Sequence, residues 1–148
     1  MKRILLAFAA LIVTSGLFAQ GVQQKKAEEL VKFKELKHSF GKIKQGVPVT
    51  YAFDFENISD APVIIENASA SCGCTTPVWP QQPVMKGKNE KITAGFNAAA
   101  PGTFEKSIYV KVKGIDYPLE LKISGEVLNE ADYAKFEAEK KNKKTGSR

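Results

Sequence analysis

Apolar and polar residues alternate along residues 47–57, which read Val-Pro-Val-Thr-Tyr-Ala-Phe-Asp-Phe-Glu-Asn. The large apolar side chains that share one face of an extended chain are Val47, Val49, Tyr51, Phe53 and Phe55. Polar side chains, Thr50, Asp54 and Glu56, fall on the other face. Successive side chains of a strand point to opposite sides, so this pattern predicts a strand with one face in a core.

The same period of two returns later in the chain. In residues 117–127, the inward positions are Leu119, Leu121, Ile123 and Val127. Related runs lie at 62–66, 92–96 and 103–113, the last interrupted by Lys106, with weaker runs near 32–37 and 77–85. Segments with Gly, Pro, Asn or Asp separate them, and no helical period intervenes. We therefore predict an all-β fold, an antiparallel β-sandwich of about seven strands.

The first 19 residues have the three parts of a secretory signal peptide. Lys2 and Arg3 precede an apolar run at 4–13, and Ala19 supplies a small residue at the expected cleavage site. The run is shorter than the about 20 apolar residues that a membrane-spanning helix needs. We expect residues 1–19 to be removed and residues 20–29 to form a polar linker. The mature chain is then expected to be soluble in the periplasm or outside the cell, without a transmembrane segment.

Composition and charge indicate one folded domain with a charged tail. Apolar residues make up 43% of the chain, and the net charge of +6 falls to +4 when Lys2 and Arg3 are removed. We place the domain at residues 30–127. Residues 128–148 are predicted to be a charged tail, helical or disordered, with Asn129 as a helix cap. Export and the lack of a recognition motif argue against a nucleic-acid partner.

Two cysteines, Cys72 and Cys74, are separated by one residue and follow a predicted strand. Gly73 permits a turn that brings them to disulfide distance. Closing so short a loop removes little unfolded-state entropy, about 1.6 kcal/mol by the chain-entropy relation. Such a bond contributes little to stability and is easily reduced. No His or Lys near the pair in sequence is evident to lower a thiol pKa, which argues against an oxidoreductase.

Two other interpretations of the cysteines remain open. A CxC pair can bind Cu(I) or supply half of a zinc site. The other possible ligands, His38 and Met85, are not spaced from the cysteines as the ligands of one metal site usually are. Alternatively, the segment is a tight turn whose small, half-buried side chains pack under Trp79. From the sequence, Cys72 and Cys74 are thus candidates for a disulfide, a metal site or a structural turn.

An ordered set of motifs carries a family resemblance. The motifs are Phe40-Gly41, Phe55-Glu56-Asn57, Ser71-Cys72-Gly73-Cys74-Thr75, Gly102-Thr103-Phe104 and Gly125-Glu126-Val127. From about residue 34 to residue 127, the chain resembles domain-of-unknown-function family 1573, an uncharacterised family of exported bacterial domains with an SCGCT stretch. The resemblance implies an immunoglobulin-like sandwich of the Hydin and major-sperm-protein type. It implies no activity or cofactor, and it gives Cys72 and Cys74 no role.

Two functions from different classes compete. The first is a non-enzymatic binding or scaffold module of the bacterial cell envelope, since the sequence has no Ser-His-Asp set, HExxH, P-loop or dinucleotide motif. Its partner would be a protein or another envelope component, and Trp79 is the candidate contact unless it caps the core. The alternative is a thiol-redox or Cu(I)-handling protein that acts through Cys72 and Cys74. No catalytic residue and no cofactor are predicted, except that the alternative function allows copper at Cys72 and Cys74.

Overall fold

Within residues 25–145, eight strands form two sheets of four strands each. The computed structural model describes residues 25–145. The predicted signal peptide, residues 20–24 of the predicted linker and residues 146–148 lie outside the described residues. The strands are β1 (Val31–Phe33), β2 (Lys37–Lys44), β3 (Val49–Asn57), β4 (Ile65–Ala70), β5 (Thr75–Val78), β6 (Asn89–Phe96), β7 (Gly102–Val112) and β8 (Leu119–Leu128). A short 3-10 helix (Ala27–Glu29) precedes them, and α1 (Glu130–Thr145) follows them.

The predicted immunoglobulin-like sandwich is confirmed, with two corrections to its details. The sheet orders are β1-β3-β6-β5 and β2-β8-β7-β4, which gives eight strands where about seven were predicted. In addition, β2 pairs with β8 in parallel, whereas all pairs were predicted antiparallel. Both corrections have one cause, because the chain passes from one sheet to the other between β1 and β2. The change of sheet adds β2 as a separate strand and places it parallel to β8. Lys34 N donates to Asp54 O at 3.0 Å in one sheet, and Leu36 O accepts from Lys122 N at 2.8 Å in the other.

The core lies between the two sheets and follows the predicted alternation. Phe53 and Ile123 are fully buried, and Phe55 is 1% exposed. Val47 was predicted to point inward, but it is 49% exposed. It precedes β3 in a turn in which its N–H donates to Lys44 O at 3.2 Å, so the alternation starts at Val49.

Two predicted strands are displaced in the structure. The run predicted at 62–66 becomes β4, which starts only at Ile65. Ahead of it, Val63 makes an isolated bridge with Val84, and Pro62 has no N–H for a longer ladder. The run predicted at 77–85 is replaced by β5, which begins earlier at Thr75, and by the bridge at Val84.

The C-terminal segment is helical and lies against β2. Asn129 is its N-cap, as predicted, because its Oδ1 accepts from Asp132 N at 2.9 Å. Lys44 Nζ lies 2.8 Å from Glu130 Oε1, and Lys42 Nζ lies 5.3 Å from the centre of the Phe136 ring. No helix within residues 25–145 combines the length and hydrophobicity that a membrane crossing requires.

Candidate functional site

The segment that contains both cysteines crosses from one sheet to the other. It leaves β4 at the edge of the second sheet and enters β5 at the edge of the first. Ser71 N donates to Ser107 O at 2.9 Å, which holds the start of the crossing against β7. Asn97 N donates to Cys74 O at 3.1 Å, which holds its end beside β6. The position of the cysteines is therefore fixed by both sheets.

Cys72 and Cys74 are joined by a disulfide, with their Cα atoms 5.3 Å apart. Both cysteines are half-buried, and the turn between them is closed by a 3.3 Å hydrogen bond from Thr75 N to Cys72 O. Across residues 25–145, the structure contains no group of three or more His, Cys, Asp or Glu residues that could hold a metal ion. His38 instead stacks on Tyr51, with ring centres 3.5 Å apart.

Thr75 places a hydroxyl group next to both sulfur atoms. Its Oγ1 lies 3.7 Å from Cys72 Sγ and 4.0 Å from Cys74 Sγ, and the residue is only 5% exposed. Disulfide sulfurs carry no proton, so the hydroxyl is the donor in either contact, and its single proton serves one sulfur at a time or is shared between them. Sequence reasoning missed this role. The available signal was a hydroxyl residue immediately after the second cysteine.

A cleft of about 240 Å³ opens beside the disulfide. Its walls include Cys74, Phe96 and Phe104. The rings of the two phenylalanines stack with their centres 4.0 Å apart. Lys106 also lines it, half-buried on the inward-facing side of β7. Among the described residues, no hydrogen bond or ion pair engages its amine. The structure thus brings an unpaired cation to the cysteines, which their sequence neighbourhood did not reveal.

Trp79 follows β5 and is half-buried against the core. Its carbonyl accepts a 3.1 Å hydrogen bond from the Gln81 amide. The contact with the core fits the capping role that was one of its two interpretations. Its role as a partner contact stays a prediction. The neighbouring Val78 is 61% exposed and is the more accessible apolar side chain.

Solved structures share this fold at low sequence identity. A protein of unknown function from Porphyromonas gingivalis W83 is 10% identical with a TM-score of 0.56, over 66% of this chain and 46% of that one. The ASH / PapD-like domain 7 of human CEP192 is 11% identical with a TM-score of 0.57, over 86% and 99%. The secreted serine protease VesC from Vibrio cholerae is 10% identical with a TM-score of 0.53, over 67% and 23%.

These similarities establish the fold alone, because one sandwich architecture serves unrelated functions. The chain spans less than half the length of the Porphyromonas protein. No curated protein sequence matches it. The family model described as "Protein of unknown function (DUF1573)" matches residues 31–127, and the chain therefore belongs to this family.

Proposed function

We propose that the protein is an exported, non-enzymatic binding or scaffold module of the bacterial cell envelope. The observation that carries this proposal is an uncharged patch on the outer face of the first sheet. We call it the β5 face. Its residues are Thr50, Ala52, Thr76, Val78, Thr93 and Gly95.

Strand register places the residues of the β5 face side by side. Thr50, Gly95 and Thr76 form one row across β3, β6 and β5, and Ala52, Thr93 and Val78 form the next. They point outward because their strand neighbours, including Phe53 and Ile92, are buried. In a chain with 26% charged residues, this face carries no charge, and the next row brings Asp54 and Lys91. An uncharged centre with a charged margin is the usual composition of a protein-binding surface.

Side chains, more than strand addition, would recognise a partner here. The bond from Asn97 N to Cys74 O sets the alternation, so the backbone groups of Thr75 and Pro77 point to the open edge of β5. Thr75 N is already bonded to Cys72 O, and Pro77 has no N–H. The edge of β5 therefore offers carbonyl acceptors without free donors, and a full ladder would not form. Val78 and the adjacent Trp79 supply the apolar contacts instead.

Site-specific photo-crosslinking in the native cells tests this proposal. A photoreactive residue replaces Val78 in the full chain, and the matched control carries it at Tyr109, which is 39% exposed on the outer face of the second sheet. We expect one reproducible adduct with an envelope component from position 78 and none of the same mass from position 109. With the photoreactive residue at Thr76, the substitution Val78→Asp is expected to abolish capture.

Two results would overturn the proposal. One is the same set of adducts from positions 78 and 109, which would indicate random encounter. The other is recovery of the chain in the cytoplasm after cell fractionation, which would contradict the export and envelope parts.

The disulfide supports a second candidate function, thiol exchange through Cys72 and Cys74. A half-exposed bond that closes a very short loop is accessible to thiols and adds little to folding. Cu(I) handling would first require reduction, since copper binds thiolates. Alkylation of thiols in intact cells, followed by measurement of the intact mass, reports the state of the pair. Two added alkyl groups mean a dithiol. Groups that appear only after reduction mean a disulfide.

A further inference from the structure

Lys106 and the disulfide share one cleft because they lie at the same end of the β4–β7 ladder. We propose that the Cys72–Cys74 pair is a thiol–disulfide exchange centre in which Lys106 stabilises Cys74 as the leaving thiolate. The co-reactant is a protein dithiol. The inference rests on the second candidate function and adds a role for each of the three residues.

The pairing of β4 with β7 explains why Lys106 reaches the cysteines. Ala70 is opposite Ile108, and Ser71 N bonds to Ser107 O, so the segment that continues into the two cysteines leaves the ladder next to Lys106. Lys106 shares the inward-facing side of β7 with the fully buried Ile108 and Val110. Its side chain is half-buried and lines the cleft at this end of the sandwich.

The two cysteines occupy different surroundings. Cys74 packs against the core and lines the cleft with Lys106. Cys72 belongs to neither the core cluster nor the cleft lining. An incoming thiolate therefore reaches Cys72 without displacing core side chains, and the sulfur of Cys74 departs into the cleft that holds the cation.

The exchange balances in two steps. A partner thiolate attacks Cys72 Sγ, a partner-sulfur–Cys72 bond forms, the Cys72–Cys74 bond breaks, and the electron pair leaves on Cys74 Sγ. The second thiolate of the partner then attacks the partner sulfur of the mixed disulfide and releases Cys72 as a thiolate. The partner gains a disulfide and this chain gains a dithiol. Each released thiolate takes up a proton from water to the extent that its pKa lies above the pH.

Lys106 is the charge that distinguishes Cys74 from an ordinary thiol. An ammonium group near a thiolate favours the ionised form. The other elements around the cleft contribute no opposing charge: its lining from β6 and the β6–β7 loop is Phe96, Asn97, Ala99, Ala100 and Pro101, and from β7 it is Gly102, Thr103 and Phe104. Across the ladder, β8 places Ile123 opposite Lys106, and β4 ends in Ala70 before Ser71. The Thr75 hydroxyl, which contacts both sulfurs, adds a neutral donor.

Equilibration of the full chain with mixtures of reduced and oxidised dithiothreitol tests the proposal at pH 6 and pH 8.5. The variants are Lys106→Gln, Lys106→Arg and, as matched control, Lys113→Gln, at an exposed lysine that immediately follows the same strand. Ratios between variants cancel the ionisation of the reagent. The absorbance of the reduced protein at 240 nm, followed against pH, reports thiolate formation directly. Lys106→Met keeps the length and apolar stem, and it replaces Lys106→Gln should that variant fail to fold.

For Lys106→Gln we expect the ionisation constant of the more acidic thiol to fall about tenfold. The constant for reduction of the disulfide should then fall on the order of fivefold at pH 8.5 and stay unchanged at pH 6, where both proteins hold protonated thiols. Lys106→Arg should keep the charge and the wild-type values, and Lys113→Gln should match the wild type at both pH values.

Each contrary outcome has a distinct meaning. An equal loss at pH 6 and pH 8.5 would indicate a structural effect and overturn the role of Lys106. Reduction and ionisation constants of Lys106→Gln that equal those of the wild type would also overturn the role of Lys106, but they would leave the exchange reaction itself intact. A disulfide that resists dithiothreitol in every variant would overturn both the inference and the second candidate function, but not the binding module.

Discussion

Phe104 covers Gly125 so closely that no side chain fits between them. The two residues are directly opposite in the β7–β8 ladder. A Cβ at Gly125 would lie 2.9 Å from two atoms of the Phe104 ring and 2.8 Å from the carbonyl oxygen of Gly41. Because Phe104 also stacks on Phe96, this contact sets the aromatic wall of the cleft beside Cys74.

Gly125→Ala is therefore expected to destabilise the fold by about 1–3 kcal/mol, the usual effect of overpacking. The Gly41 carbonyl belongs to the backbone and moves less readily than a flexible side chain. Urea denaturation measures the change. Gly95→Ala is the matched control, since its Cβ would meet Thr76 O at 3.5 Å, an ordinary contact, and should change stability by less than about 1 kcal/mol. Equal losses in the two variants would contradict the steric explanation.

Asn57 ties the end of β3 to two loops, and its removal should be costly. The side chain is fully buried, and its Nδ2 donates to Ala61 O and Val84 O at 2.8 Å each. Its Oδ1 accepts from Ser59 N at 2.9 Å. Asn57→Ala leaves buried polar groups unpaired, so we expect a loss of about 2–4 kcal/mol in unfolding free energy.

Asn67→Ala is the internal control for that measurement, because Asn67 is exposed and also stands in an Asn-x-Ser sequence. We expect its effect to stay within about 0.5 kcal/mol. Should Asn57→Ala unfold at the same urea concentration as Asn67→Ala, the loops are not held by this amide.

Most of the strands could be predicted from the sequence because alternating apolar and polar residues mark them locally. Phe53 and Phe55 alternate with Asp54 and Glu56, and burial follows that alternation in the structure. No local sequence pattern marks the change of sheet between β1 and β2. It depends on hydrogen bonds to residues far along the chain, such as that from Lys122 N to Leu36 O.

The candidate site was predictable only in part for the same reason. Cys72 and Cys74 stand out in the sequence, but Lys106 reaches them through the β4–β7 register, some thirty residues away. In the sequence it is simply a charge that interrupts an apolar run. Asn57 looks like a polar strand end, and its burial depends on Ala61 and Val84 closing over it.

Reduction of the disulfide should change stability only slightly. The closed loop spans Cys72 to Cys74, for which chain entropy gives a contribution of at most about 1.6 kcal/mol. Urea unfolding with and without a phosphine reductant should differ by no more than that. The double variant Cys72→Ser/Cys74→Ser should match the reduced protein and ignore the reductant. A loss above about 3 kcal/mol would mean that the bond is a structural staple and would weaken the case for exchange.

The contact between Lys44 and Glu130 should make the docking of α1 sensitive to acid. A hydrogen bond from Lys44, together with its charge, holds the pKa of the Glu130 carboxyl below its ordinary value of 4.5. Because this pKa is lower in the folded protein than in the unfolded chain, the ionised carboxylate stabilises the docked helix at pH values above the pKa of the unfolded chain. That contribution is lost as the pH falls through the pKa of the folded protein. Carboxyl-carbon NMR should place the Glu130 transition below pH 4.5 in the wild type.

Lys44→Gln should move the Glu130 transition up toward 4.5, and Lys37→Gln, an exposed lysine on the same strand, should leave it in place. An unchanged transition in Lys44→Gln would show that the ion pair does not persist in solution. Because the Glu130 side chain is 84% exposed and that of Lys44 is 39% exposed, the shift should also shrink as salt is added.

Pro77 is expected to keep the open edge of β5 from pairing with a second copy of the chain. Its ring nitrogen faces that edge, where Thr75 N is already bonded to Cys72 O. Pro77→Thr would restore a donor between two carbonyl acceptors and keep a residue that favours strands. We expect concentration-dependent dimers of Pro77→Thr in sedimentation velocity under conditions in which Pro80→Thr, outside the strand, sediments as the wild type does. Identical sedimentation of the two variants would mean that the carbonyl-only edge is not what limits self-pairing, and the exposed Val78 beside it would become the residue to test next.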